Sequence, residues 1–184
     1  MARRGFRILA IGLGLCSLAA GAQPYPPAPQ DHRRTVGGWL VIHEPDEGGR
    51  MVRLVRRHGG AALEYYASYW HGNGRPIRGT RTEYGGTSCG DYPGWEDRDA
   101  DRGFTPPRDV AAMARALRTA WAEDLTACGA TPQQIAATLA GLEPAMVQAA
   151  AWEEEARRWT IAVFDAIANY GSTEAEAPDG AAPH

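Results

Sequence analysis

Lysine is absent from this 184-residue chain, and all 19 of its basic residues are arginines. Without an ε-amine, Schiff-base catalysis, a phosphate-loop lysine and a serine–lysine pair are all excluded. Cysteine is scarce, with three in the chain. The spacings H-E-x-x-H and C-x-x-C do not occur, so the common zinc and dithiol signatures are missing. Long apolar runs are missing too. The one sustained run, Ile8 to Ala20, has 13 residues, short of the roughly 20 needed to span a bilayer. What remains is an ordinary globular composition, 44% hydrophobic and 22% charged, too apolar for a wholly disordered chain.

The apolar run sits where export machinery reads it. Arg3, Arg4 and Arg7 precede it, and Ala20-Gly21-Ala22 follows with small residues at the positions a signal peptidase requires. Residues 1–22 therefore read as a secretory signal peptide, with no membrane anchor. Leu15 before Cys16 is too large for a lipoprotein signal. The expected location is periplasmic or secreted. Cleavage leaves 16 arginines against 22 acids, a net charge of −6. It also leaves two cysteines, Cys89 and Cys128, and an even count in an oxidising compartment predicts one disulfide between them. The competing reading makes Cys89 a free nucleophile served by His58 or His71.

Four domains of behaviour follow along the chain: the signal at 1–22, a proline-rich disordered linker at 23–36, a single folded domain at 37–170, and a disordered acidic tail at 171–184. The first half of the domain is punctuated by Gly37-Gly38, Gly48-Gly49, Gly59-Gly60 and Gly85-Gly86. Runs of β-branched and aromatic residues lie between, predicting strands at Trp39–Glu44, Arg50–Arg57, Ala62–Trp70 and Ile77–Tyr84. Asn73-Gly74 is a hairpin signal for the third turn. Connections this short force neighbouring strands to run antiparallel.

The second half is alanine-rich and periodic. Thr105-Pro106 predicts a helix start, with the stripe Val110, Met113, Leu117, Trp121, Leu125 and Cys128 ending at Gly129. Thr131 to Gln134 reads as a capping box for a short helix. A third helix runs from near Pro144 to Tyr170 on the stripe Trp152, Ala156, Trp159, Val163, Ile167 and Tyr170. Glu153–Arg157 and Glu154–Arg158 are placed on its wet face as i,i+4 pairs. The expected fold class is α+β: a four-stranded antiparallel β-meander followed by three α-helices packed on one sheet face.

Charge is divided between the halves. Residues 31–86 carry nine arginines and six acids, whereas 87–184 carry seven arginines and 16 acids. Alternation places Arg53, Arg57, Tyr66 and Arg78 as candidate binding residues on a solvent-facing side of the sheet, suited to anionic groups through planar guanidinium recognition. Asp97, Asp99 and Asp101 resemble the start of a calcium loop. Its glycine arrives one residue late at Gly103, and Arg108 occupies the twelfth position where a glutamate belongs. No cofactor is expected apart from that Ca²⁺ possibility. Nucleic acid is a poor partner for an acidic exported chain. The expected function is a non-catalytic binding or inhibitor-type protein for a protein or anionic ligand of the cell envelope. The alternatives are a small periplasmic hydrolase using a turn histidine, His58 or His71, and a calcium-dependent binding module.

Overall fold

The computed structural model describes residues 25–70, 76–92 and 109–174. Six strands form one antiparallel sheet in sequence order: β1 (His32–Val36), β2 (Trp39–Asp46), β3 (Gly49–His58), β4 (Ala61–Trp70), β5 (Pro76–Tyr84) and β6 (Thr87–Tyr92). Two long helices follow, α1 (Val110–Ala127) and α3 (Leu142–Glu174), with the short α2 (Pro132–Thr138) between them. The fold is α+β, and the helices lie on one face of the sheet, where their buried residues join those of β2, β3 and β4 in a single core.

Local chemistry explains most of these elements. Gly37-Gly38, Gly59-Gly60 and Gly85-Gly86 each have φ between 55° and 83°, the paired positive values of a type I′ hairpin. Of Gly48-Gly49, only Gly48 has positive φ; Gly49 belongs to β3, opposite Trp70. The Asn73-Gly74 turn lies outside the described residues. Asp109, rather than Thr105, caps α1 by accepting a hydrogen bond from the Ala112 amide at 2.8 Å; Thr105 lies outside the described residues. The Thr131–Gln134 capping box on α2 is present.

The sheet has six strands where the sequence predicts four. The two additional ones are the edges. β1 lies inside the stretch expected to be a disordered linker, and β6 follows the last expected strand. His32-Arg33-Arg34-Thr35-Val36 has three exposed residues in its middle, so no apolar alternation announces it. An edge strand pairs on one side only, and charge there discourages further pairing. β6 pairs with β5 across a register shift at Thr82 and Glu83.

The core joins the two layers. Trp39 of β2 stacks on Trp121 of α1 with ring centroids 5.3 Å apart, both fully buried. The predicted stripe of α1 is the observed one, with Met113, Leu117, Trp121 and Leu125 buried. Helix α3 packs on a different stripe: Leu142, Ala145, Met146, Ala149, Glu153, Ala156 and Thr160 are buried, while Ile167 is exposed. Alanine on this stripe lets the helix approach the sheet closely, and the larger Trp152 and Trp159 sit at its margin, half-buried. Cys89 of β6 is bonded to Cys128, the C-cap of α1, across a Cα–Cα distance of 5.6 Å. Beside it, the Asp124 carboxylate of α1 accepts a hydrogen bond from Thr82 Oγ1 at 2.8 Å and lies close over Gly90, so sheet and helix are fastened at this corner.

Candidate functional site

Because side chains alternate along a strand, the residues between the core positions all point away from the helices. The register arranges them in rows. Arg57, Ala62 and Glu83 stand side by side across β3, β4 and β5, followed by Leu40, Val55, Glu64 and Arg81. The next rows are Ile42, Arg53, Tyr66 and Gly79, then Glu44, Met51, Ser68 and Ile77. Among the described residues no second layer covers this face. Its surface is nonetheless ordered. Arg53 is held between Glu64, 2.6 Å away, and Glu44, 3.3 Å away. Partial burial works against the Arg53 charge, but the bonds to Glu64 and Glu44 outweigh it and keep the group above the ordinary arginine value. The Tyr66 ring lies across Gly79, where a Cβ would meet the tyrosine ring and hydroxyl within 2.5 Å, so the missing side chain makes room for the ring.

Trp70 is the most prominent group on this face, with 47% of its surface exposed. Its Nε1 donates to Ser68 Oγ at 2.9 Å, and Ser68 Oγ donates to the Asp46 carboxylate. Asp46 also accepts from the Glu47 amide at 2.9 Å. The indole N–H is therefore satisfied internally and the ring is held in one orientation, with its apolar surface left to solvent.

Arg53, Arg57 and Tyr66 stand on this open face, as alternation places them. Arg78 does not. It points to the helices, with a fully buried side chain, and its Nη2 lies 3.0 Å from the Glu153 carboxylate, which is also fully buried. Tyr65 and Tyr69 donate to the two Glu153 oxygens at 2.9 and 2.8 Å, and Arg78 Nε donates to Tyr65 Oη at 3.0 Å. Burial, and then the Glu153 charge, push both tyrosine hydroxyls well above their usual value. Burial opposes the Arg78 charge, but Tyr65 and Glu153 more than compensate, so the guanidinium stays protonated. The expectation of a solvent-facing Arg78 is thus corrected, as is that of Glu153 on a wet helix face. Glu154 is the acid that pairs with Arg157 and Arg158, at 2.9 and 3.2 Å.

A second polar cluster lies where β1 meets α3. His43 is fully buried, and its Nε2 accepts a hydrogen bond from Arg50 Nε at 3.2 Å. That bond occupies the Nε2 lone pair and leaves the proton on Nδ1. Nδ1 makes no hydrogen bond and faces Glu155 at 3.7 Å. Arg50 is tied to Asp31 at 3.0 Å and to the Gln30 carbonyl at 3.3 Å, while His32 stacks on Trp152 at 5.6 Å. Burial first, then the charge of Arg50, lower the His43 pKa to about 4. The folded state therefore favours neutral His43 over its free value of about 6.5. Its contribution is complete above pH 6.5 and is lost as pH falls towards 4, because only the unfolded chain takes up the proton in that window. Between pH 7 and pH 4 the parent is expected to lose about 3 kcal/mol more stability than a His43→Gln variant. Denaturant unfolding of both proteins at the two pH values checks this, and equal losses would contradict it.

Several predicted residues are not brought together. His58 is exposed at the end of β3, opposite Ala61. Trp70, which precedes His71, is at the far end of β4, about 30 Å away at the usual strand rise. His71, Asp97, Asp99 and Asp101 lie outside the described residues. Among the described residues no three histidine, cysteine or acidic side chains form a metal-binding group. Cys89 is in the disulfide, so it is not a thiol nucleophile. Trp70 is the site residue that alternation alone undervalues. It shares a face with Tyr66, and the Ser68–Asp46 relay that fixes it forms across strands.

Fold and site together define a two-layer α+β protein with one structured sheet face that nothing among the described residues covers. Compared with protein families, with curated proteins and with solved structures, the chain has no match.

Proposed function

We propose that this is an exported binding protein of the cell envelope whose interaction surface is the open face of the sheet, and whose partner is a protein. The observation that carries the reading is Trp70, exposed yet fixed through Ser68 and Asp46. Holding a large aromatic ring in place before contact removes part of the ordering cost of binding. Tryptophan, tyrosine, methionine and arginine are the residues enriched where protein surfaces meet. Trp70, Tyr66, Met51 and Arg53 supply all four on one face. The signal-peptide reading of residues 1–22 and the Cys89–Cys128 disulfide both support export, since disulfides persist in oxidising compartments.

A photo-crosslinking residue in place of exposed Leu40 tests the reading, with Val147 on the outer side of α3, 56% exposed, as the control position. In envelopes of the producing cell, position 40 is expected to give one discrete adduct with a second protein and position 147 none. The same sample is expected to contain a chain beginning at Gln23 by intact mass. No adduct from position 40, or the same adduct from both positions, would overturn the proposal.

A further inference from the structure

The geometry points to a specific feature of that partner: we infer that the Arg57 end of the open face receives an acidic side chain of the partner protein, seated on Ala62 between Arg57 and Arg81. The inference rests on the reading of the open face as the interface. Ala62 is small, and between Arg57 and Glu83 it leaves a dimple of about 40 Å³ walled also by Val55, Glu64 and Arg81. Two arginines and two glutamates stand in its walls, so its chemistry suits a charged group such as a carboxylate rather than an apolar ring.

The charges favour the same occupant. Arg33 is engaged by Glu44, Arg53 by Glu44 and Glu64, and Arg81 by Glu83. Arg57 is exposed and has no acidic partner among the described residues. Its planar fork matches a carboxylate in a two-bond arrangement. Glu64 and Glu83 line the same dimple, and their charges oppose a doubly charged phosphate more than a singly charged carboxylate. The site therefore selects a monoanion, and on a protein surface that means aspartate or glutamate. The dimple and Trp70 lie at opposite ends of β4, so one partner touching both would span about 26 Å, within the reach of a standard interface.

Crosslinking from position 40 is compared in the parent, in Arg57→Glu and Ala62→Phe proteins, and in an Arg118→Glu control on α1. The adduct is expected to fall at least tenfold with Arg57→Glu and with Ala62→Phe, and to persist with Arg118→Glu. Mapping the crosslinked peptide is expected to locate an aspartate or glutamate whose replacement by arginine restores the adduct with Arg57→Glu. If the parent adduct survives both substitutions, the Arg57 inference fails while the open-face reading stands. If the parent gives no adduct, the open-face reading itself fails. An adduct with the mass of two copies of this chain, or one containing no second protein, would also overturn the inference.

Discussion

Removing the Glu153 carboxylate is expected to cost about 3–5 kcal/mol of folding stability, the range for breaking a buried ion pair by deleting one member. The Glu153→Leu variant takes the Glu153 carboxylate from the fully buried Arg78 guanidinium and the acceptor from two buried tyrosine hydroxyls. Arg78→Met is expected to cost a similar amount by stranding the carboxylate. The double variant is the informative case. With both charges gone no buried ion is left uncompensated by the loss of its partner, and the double variant's stability is expected to exceed that of either single variant, the two tyrosine hydroxyls remaining. Urea unfolding of the four proteins measures the coupling. Additive losses, or single losses below about 1 kcal/mol, would show that the pair does not act as a unit.

The disulfide is the second large term. Cys89 and Cys128 are separated by 39 residues, and closing a loop of that length stabilises by about 3–4 kcal/mol in the chain-entropy account. A Cys89→Ser/Cys128→Ser protein is expected to lose that amount, and the loss is expected to fall first on β6. Among the described residues this strand pairs with β5 alone, and it contains Gly90, a poor strand former. Its Gly90 also lies close against Asp124 of α1, which accepts a hydrogen bond from Thr82 on the neighbouring β5. Hydrogen exchange is expected to show faster exchange of β6 amides than of β3 and β4 amides in the variant. Uniform acceleration across the sheet would contradict a local role.

Much of this architecture is legible in the chain because short connections leave few choices. Two-residue glycine turns impose antiparallel neighbours, and the boundaries of the middle strands follow from them. Caps at Thr131 and the α1 stripe ending at Gly129 are similarly local signals. The edges were illegible for a physical reason. β1 and residues 87–90 of β6 bury little, so they carry no hydrophobic period, and pairing with a neighbour rather than propensity makes them strands. The same cause explains Arg78. On β5 the side that faces the helices is Pro76, Arg78, Thr80, Thr82 and Tyr84, while Ile77 points outward, which inverts the usual apolar-in arrangement over the middle of the strand. Glu153 and Asp124 on the helices supply the partners that make the inversion stable. Tyr84, packed against the core, is the one residue of that set whose chemistry signals the inward side. Glu153 misleads in the complementary way: Arg157 four residues on looks like its partner, but the true one is 75 residues earlier in sequence.

The open face was partly legible. Arg53, Arg57 and Tyr66 follow from alternation, but the ion pairs that order Arg53 and the relay that fixes Trp70 depend on strand register, which no single segment encodes. The claim that this face binds a protein through Trp70 is tested most directly by crosslinking from position 40 in the parent and in a Trp70→Ala protein of equal stability. A discrete protein adduct in the parent, reduced at least tenfold by the substitution, is the predicted result. An undiminished adduct, or none in either protein, would contradict it.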